Sequence, residues 1–273
     1  MWNLIKMDFY RLCTSRALKI GAIVTGILAA VCMLFSLGVV AIVKISFTED
    51  PELAVQMGAL LSQTAWLVGV DLAEVALCGT TTFALFVGCM LTANFIGSEM
   101  SCGYTKNFAG QLPNRGYMAI SKFLVTSFAH IIVLVIYTAV AGLLGNLLLS
   151  QYITGLAWSS LFATLGLRIL LHIALNSIIV FVCMFTKSHA VAMVVGCIFG
   201  IGMTKLVYLG ASMLLSAIKI NFDISKYMPD GINLQLEAGN FNTLIVRAII
   251  VSIAFIAVFV TTNYFVLQKR DVK

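Results

Sequence analysis

Arg168, His172 and Asn176 recur at i, i+4 and i+8, which on a helix places a guanidinium, an imidazole and an amide in one stripe. They fall in the apolar run 160–186, and Lys205 falls in another, 190–217. A charge in hydrocarbon costs about 2.5–3.5 kcal/mol even on the lenient scale, so such residues face protein or water. At ~1.5 Å per residue from position 186, His172 stands about 20 Å up, with Lys205 at a similar height. Two roles are open. Arg168 and Lys205 snorkel to the outer interface while their neighbours hydrogen-bond between helices; or the four residues line a translocation pathway. Asp71 and Glu74 are the acids with which Arg168 is expected to pair.

Enzymatic chemistry finds little support. The chain has no GxxxxGK[ST] run to cradle nucleotide phosphates, no HExxH and no GxSxG. His172-x3-Asn176 is similar to one element of intramembrane CAAX-type proteases, but the EExxxR those enzymes need is missing. The 3 histidines (His130, His172, His189) are far apart in sequence, and the 7 cysteines form no CxxC or paired ligand spacing. No catalytic, cofactor-binding or metal-ligating residue is expected.

The elements that must position these side chains are membrane spans. Apolar runs at 20–43, 73–97, 120–149, 160–186, 190–217 and 244–267 each approach or exceed the ~20 residues that cross a bilayer as helix. A mean hydropathy of +1.03 with 10% charged residues excludes an ordinary soluble domain. The 273 residues are nearly used up by spans and connections, giving one transmembrane domain over 1–273. Taking connections alternately, one side holds Lys6, Arg11, Arg16, Lys19, Lys106, Arg115, Lys122, Lys187, Lys269, Arg270 and Lys273. The other holds only Lys44, Lys219, Lys226 and Arg247, beside most of the acids. Lys and Arg resist translocation, so the basic side and both termini are expected in the cytoplasm, in a multi-pass protein of the cell membrane. The net charge of +6 resides in these juxtamembrane clusters, which meet anionic lipid rather than nucleic acid.

Three connections have character. Residues 1–19 read as an amphipathic interfacial helix, with Trp2, Ile5, Phe9 and Leu12 toward the membrane and Asp8 and Arg11 on other faces. Short outer-side helices are expected before the second and sixth spans: one starting at Asp50-Pro51-Glu52, and one in the outer loop 218–243 around Pro229-Asp230-Gly231. Between the second and third spans, the cytoplasmic connection 98–119 is far longer than a hairpin requires and mixes Tyr104, Phe108 and Tyr117 with Lys and Arg, as a partner-binding surface does. The fold class is therefore an all-α polytopic membrane protein of six transmembrane helices, with an N-terminal interfacial helix and short outer helices.

Three motifs together resemble the permease subunits of type-2 ABC exporters, especially the short Gram-positive kind. They are the opening Met-Trp-Asn-Leu-Ile-Lys-Met-Asp-Phe-Tyr-Arg-Leu, the segment Glu99-x3-Gly103-x2-Lys106-Asn107 continuing to Arg115 and Lys122, and the ending Leu267-Gln268-Lys269-Arg270-Asp271-Val272. Tyr104 stands where the family often has Thr, with Thr105 beside it. The architecture covers the whole chain; the motifs cover about a sixth of it. The resemblance implies a half-transporter that pairs with a second permease, the same or a sister chain, and docks two separate ABC ATPase subunits, which carry the ATP and Mg. It implies coupling through Glu99, Gly103, Tyr104, Lys106, Asn107, Phe108 and Arg115, and ATP-driven export or clearance of an amphipathic substrate such as a peptide antibiotic, lantibiotic, drug or lipid-like molecule. An ATP-independent transporter or channel, and a membrane-integral signalling partner, are the alternatives.

Overall fold

The computed structural model describes residues 1–49, 76–77, 79–103, 114–148, 150, 158–217, 224–236 and 241–269, and these are helical almost throughout. Helix α1 (Trp2–Thr14) leads into α2 (Arg16–Glu49), and a π-helical turn (Thr80–Ala84) leads into α3 (Leu85–Ser101). Then follow α4 (Gly116–Leu148), α5 (Trp158–Thr186), α6 (His189–Ile201) and α7 (Thr204–Ala217). A 3-10 turn (Ile224–Tyr227), α8 (Pro229–Leu236) and α9 (Phe241–Lys269) complete the chain. Five helices are long and apolar enough to cross a membrane, or six if the bent pair α6–α7 counts as one span. The short helices expected before the sixth span are present. The helix expected to start at Asp50 lies outside the described residues.

Local chemistry sets the breaks. Ser15 is extended (φ −66°, ψ 139°), which ends α1. Its hydroxyl donates to the Leu12 carbonyl at 2.7 Å and accepts the Leu18 amide at 3.2 Å, so one residue closes α1 and caps α2. The run 190–217, expected as one continuous helix, is instead bent by 80°. Gly202 adopts φ +75°, its amide donates to Phe199 and the Met203 amide reaches back to Ile198, so a Schellman turn ends α6.

Helices α3, α4 and α5 pack against one another as the centre, with α2 on α4, α6 on α3, and α9 across α5 and α4. The second span is 72% buried and the last only 22%, which makes α3 the interior element and α9 a peripheral one. Close approach of α6 to α3 depends on Gly196 and Gly200, four residues apart on one face. A Cβ at Gly200 would stand 2.6 Å from the Phe86 Cα, and one at Gly196 2.9 Å from the Cys89 Cβ. The faces left exposed are apolar: Ile20, Ile23, Ile27 and Leu34 on α2, and Val246, Ile250, Ile253 and Val258 on α9. Lipid tails suit these ridges and water does not.

Candidate functional site: a buried charge cluster and a polar stripe

At the end of the bundle nearest the N-terminus, four charges from three helices meet. Asp8 of α1, Glu99 of α3 and Lys122 of α4 are 0%, 4% and 2% exposed. The Lys122 ammonium lies 2.6 Å from Asp8 Oδ1 and 2.6 Å from Glu99 Oε1, so one cation serves two carboxylates. Ser121 donates its hydroxyl to Asp8 Oδ2 at 2.6 Å, and Arg11 of α1, about a third exposed, pairs with Glu99. The Phe95 ring seats both cations, 4.8 Å from the Arg11 guanidinium carbon and 5.3 Å from Lys122 Nζ. Charges this buried are tolerated because each finds an opposite charge or a hydrogen bond.

The cluster refines two sequence expectations. Leu12, expected toward the membrane, is buried in the bundle with Leu4 and Asp8, while Trp2 and Phe9 stay on the exposed side of α1, Phe9 with its ring 4.8 Å from that of Phe128. Asp8 turns inward because Lys122 is there to meet it. Glu99, which the resemblance implies couples to a partner, sits near the end of α3 and is bonded to this chain's own Arg11 and Lys122.

The 98–119 connection starts and ends beside this cluster. Residues 98–101 still belong to α3, Gly103 follows in the left-handed region (φ +67°), and Arg115 leads into α4. Tyr104, Lys106, Asn107 and Phe108 lie outside the described residues. At its far end Asn114 donates to the Tyr264 hydroxyl at 2.5 Å and accepts the Gly116 amide at 2.9 Å. A Cβ on Gly116 would stand 2.5 Å from the Tyr264 ring, so the last helix is fitted closely over the start of α4. On the other flank, the His189 ring lies against Gly97, where a Cβ would come within 2.4 Å of it.

Further along the bundle, the stripe on α5 is buried between α3 and α4, with Arg168, His172 and Asn176 at 3%, 1% and 0% exposure. Asn176 Nδ2 donates to Thr126 Oγ1 (2.9 Å) and Ser127 Oγ (3.0 Å), and its carbonyl accepts from Thr92 Oγ1 (2.8 Å). Because the single Thr92 proton is used there, His130 Nε2 at 3.2 Å must carry the hydrogen and donate to Thr92, which assigns its tautomer. His130 and His172, far apart in sequence, bring their rings to 6.1 Å edge to face. Arg168 donates to the Leu77 carbonyl at 2.9 Å and to Thr80. Its expected partners Asp71 and Glu74 lie outside the described residues.

Lys205 does not join the stripe. It is exposed on α7, beyond the bend that takes this helix out of line with α6. Only three of the four residues expected to share a pathway are therefore brought together: Arg168 and Asn176 are tied to their own chain by hydrogen bonds, while neither ring nitrogen of His172 has a hydrogen-bond partner among the described residues. Sequence reasoning missed Asp8, Lys122, Thr92 and His130. The available signals were an acid at the centre of the Leu4–Asp8–Leu12 face and a lysine set inside an apolar run. No family model matches the chain, and no curated protein matches its sequence.

Proposed function

We propose that this chain is the membrane-spanning subunit of an ATP-driven exporter of the type-2 ABC kind, moving an amphipathic substrate with the help of separate ATPase subunits. The observation that carries the reading is the Asp8–Lys122–Glu99–Arg11 cluster. It ties the N-terminal helix to the two helix ends from which the 98–119 connection leaves and returns. A partner pushing on that connection would move α1, α3 and α4 together, because unpairing a buried charge costs several kcal/mol and the load passes to the helices instead. Tyr264 over Gly116 extends the linkage to the last helix. On this reading the basic side and both termini face the cytoplasm of the cell membrane, and a second permease completes the pathway. ATP and Mg belong to the ATPase partner.

The test is co-expression of the tagged chain with P-loop ATPases of the same genome, followed by affinity purification and assay of ATP hydrolysis in vesicles. Recovery of one ATPase in stoichiometric amount, with hydrolysis that depends on the permease, supports the assignment. Ion or solute flux through vesicles holding the chain alone, with no ATPase recovered, would assign an ATP-independent transporter or channel instead.

A further inference from the structure

At the end of the bundle remote from the two termini stands a carboxylate with no counter-charge among the described residues. Asp230, in the first turn of α8, is 3% exposed. Its Oδ1 accepts the Tyr208 hydroxyl at 2.5 Å, and its Oδ2 has no hydrogen-bond partner among the described residues. The described cations on the elements around it do not pair with it. Arg168 donates to Leu77 and Thr80, Lys205 is exposed on α7, and no ion pair to Asp230 is formed among the described residues.

Two further buried side chains on the same two helices carry oxygens. Asn233 follows at i+3 on α8, so its side chain flanks that of Asp230. It is 1% exposed, and neither its amide oxygen nor its amide nitrogen has a partner among the described residues. Thr204 precedes Tyr208 by one turn of α7, on the face that meets α8; it is 6% exposed, and its hydroxyl lies next to that of Tyr208 without a full hydrogen bond among the described residues. Burying so many polar atoms without partners is costly, and for an unpaired carboxylate the cost is the largest.

We propose that Asp230, Asn233 and Thr204 form a site for a small hard monovalent cation of the sodium class. Carboxylate, amide and hydroxyl oxygens are the ligands hard cations take. A single carboxylate balances one positive charge, whereas a divalent ion would leave one uncompensated in a buried setting. The Tyr208 hydroxyl holds Oδ1 and so turns Oδ2 toward the ion. Bound there, the cation pins α8 to α7 just beyond the 80° bend and steadies the short helices that lead into the last span.

Thermal unfolding of the purified full-length chain, in sodium chloride against N-methylglucamine chloride at equal ionic strength, tests the site without any ATPase. The outcome is therefore independent of the proposed export function. Ligand binding to the folded state raises the midpoint with ion concentration in a saturable way. The expected result is such a rise for the native chain and none for Asp230→Asn, which in sodium-free medium should be at least as stable as the native protein because it removes the uncompensated charge. Asn233→Leu should weaken the apparent sodium affinity by about tenfold or more, as loss of one ligating oxygen does. Potassium and calcium titrations in parallel should show weaker effects. An unchanged sodium response in Asp230→Asn would overturn the proposal. So would a native chain indifferent to sodium whose infrared spectrum shows a protonated carboxyl band that Asp230→Asn removes, since that assigns a neutral buried acid.

Discussion

Lys122 is the pivot of the charge cluster, and its replacement by methionine is the most informative perturbation. Methionine keeps most of the volume and the aliphatic reach while removing the charge. Lys122 is 2% exposed and lies 2.6 Å from each of two carboxylates, so its loss strands Asp8 with only the Ser121 hydroxyl, while Glu99 retains Arg11. Breaking one buried pair costs about 3–5 kcal/mol, mostly as the penalty on the charge left behind. The Arg11–Glu99 pair is partly exposed, so solvent discounts it, and Arg11→Ala should cost only about 1 kcal/mol. Lys122→Met should therefore lower stability by about 3–5 kcal/mol, and adding Asp8→Asn should restore a coupling of up to about 3 kcal/mol. The assay is reversible unfolding in mixed micelles of rising SDS fraction, followed by far-ultraviolet circular dichroism for the four members of the cycle. A loss under about 1 kcal/mol for Lys122→Met, the range of an exposed pair, would refute the burial argument. Strictly additive single costs would show that Asp8 and Lys122 do not depend on each other.

Other expectations follow from the same geometry. Asn176→Leu removes three side-chain hydrogen bonds and leaves Thr92 and Ser127 short of partners, so it should cost about 2–4 kcal/mol in the same assay. Gly200→Ala places a methyl 2.6 Å from the Phe86 backbone and should destabilise by about 1–3 kcal/mol, whereas Gly26→Ala, with nothing within 4 Å, should be neutral or mildly stabilising. Cys13 and Cys102 are exposed and Cys89 and Cys183 buried, so a maleimide should modify the first two readily in the folded protein and all four only after denaturation. In sealed right-side-out vesicles Cys13 and Cys102 should resist an impermeant maleimide, and a cysteine at Tyr227 should react; labelling of Cys102 from outside would invert the proposed orientation.

That the chain is built of several helices long and apolar enough to cross a membrane was legible in the chain itself, because a run of about 20 apolar residues is a local property that needs no knowledge of neighbours. The distribution of Lys and Arg is local in the same sense. The stripe Arg168–His172–Asn176 was readable from helical periodicity alone. Which residues it meets was not: His130 and Thr92 reach it across separate helices, and their sequence distance carries no trace of the 6.1 Å between the two histidine rings.

Tertiary structure also reversed the roles of several charged groups. Asp8 and Lys122 read as polar positions on a surface helix and on a cytoplasmic flank, and packing turned each into the other's buried counter-ion. Lys205 matched the stripe in depth only under the assumption of a straight fifth span. The left-handed Gly202 bends that span by 80° and leaves the lysine exposed. Hydrophobic periodicity determines which segments leave water. Where a buried charge ends up depends on the opposite charge that packing brings to it, and only the assembled bundle decides that.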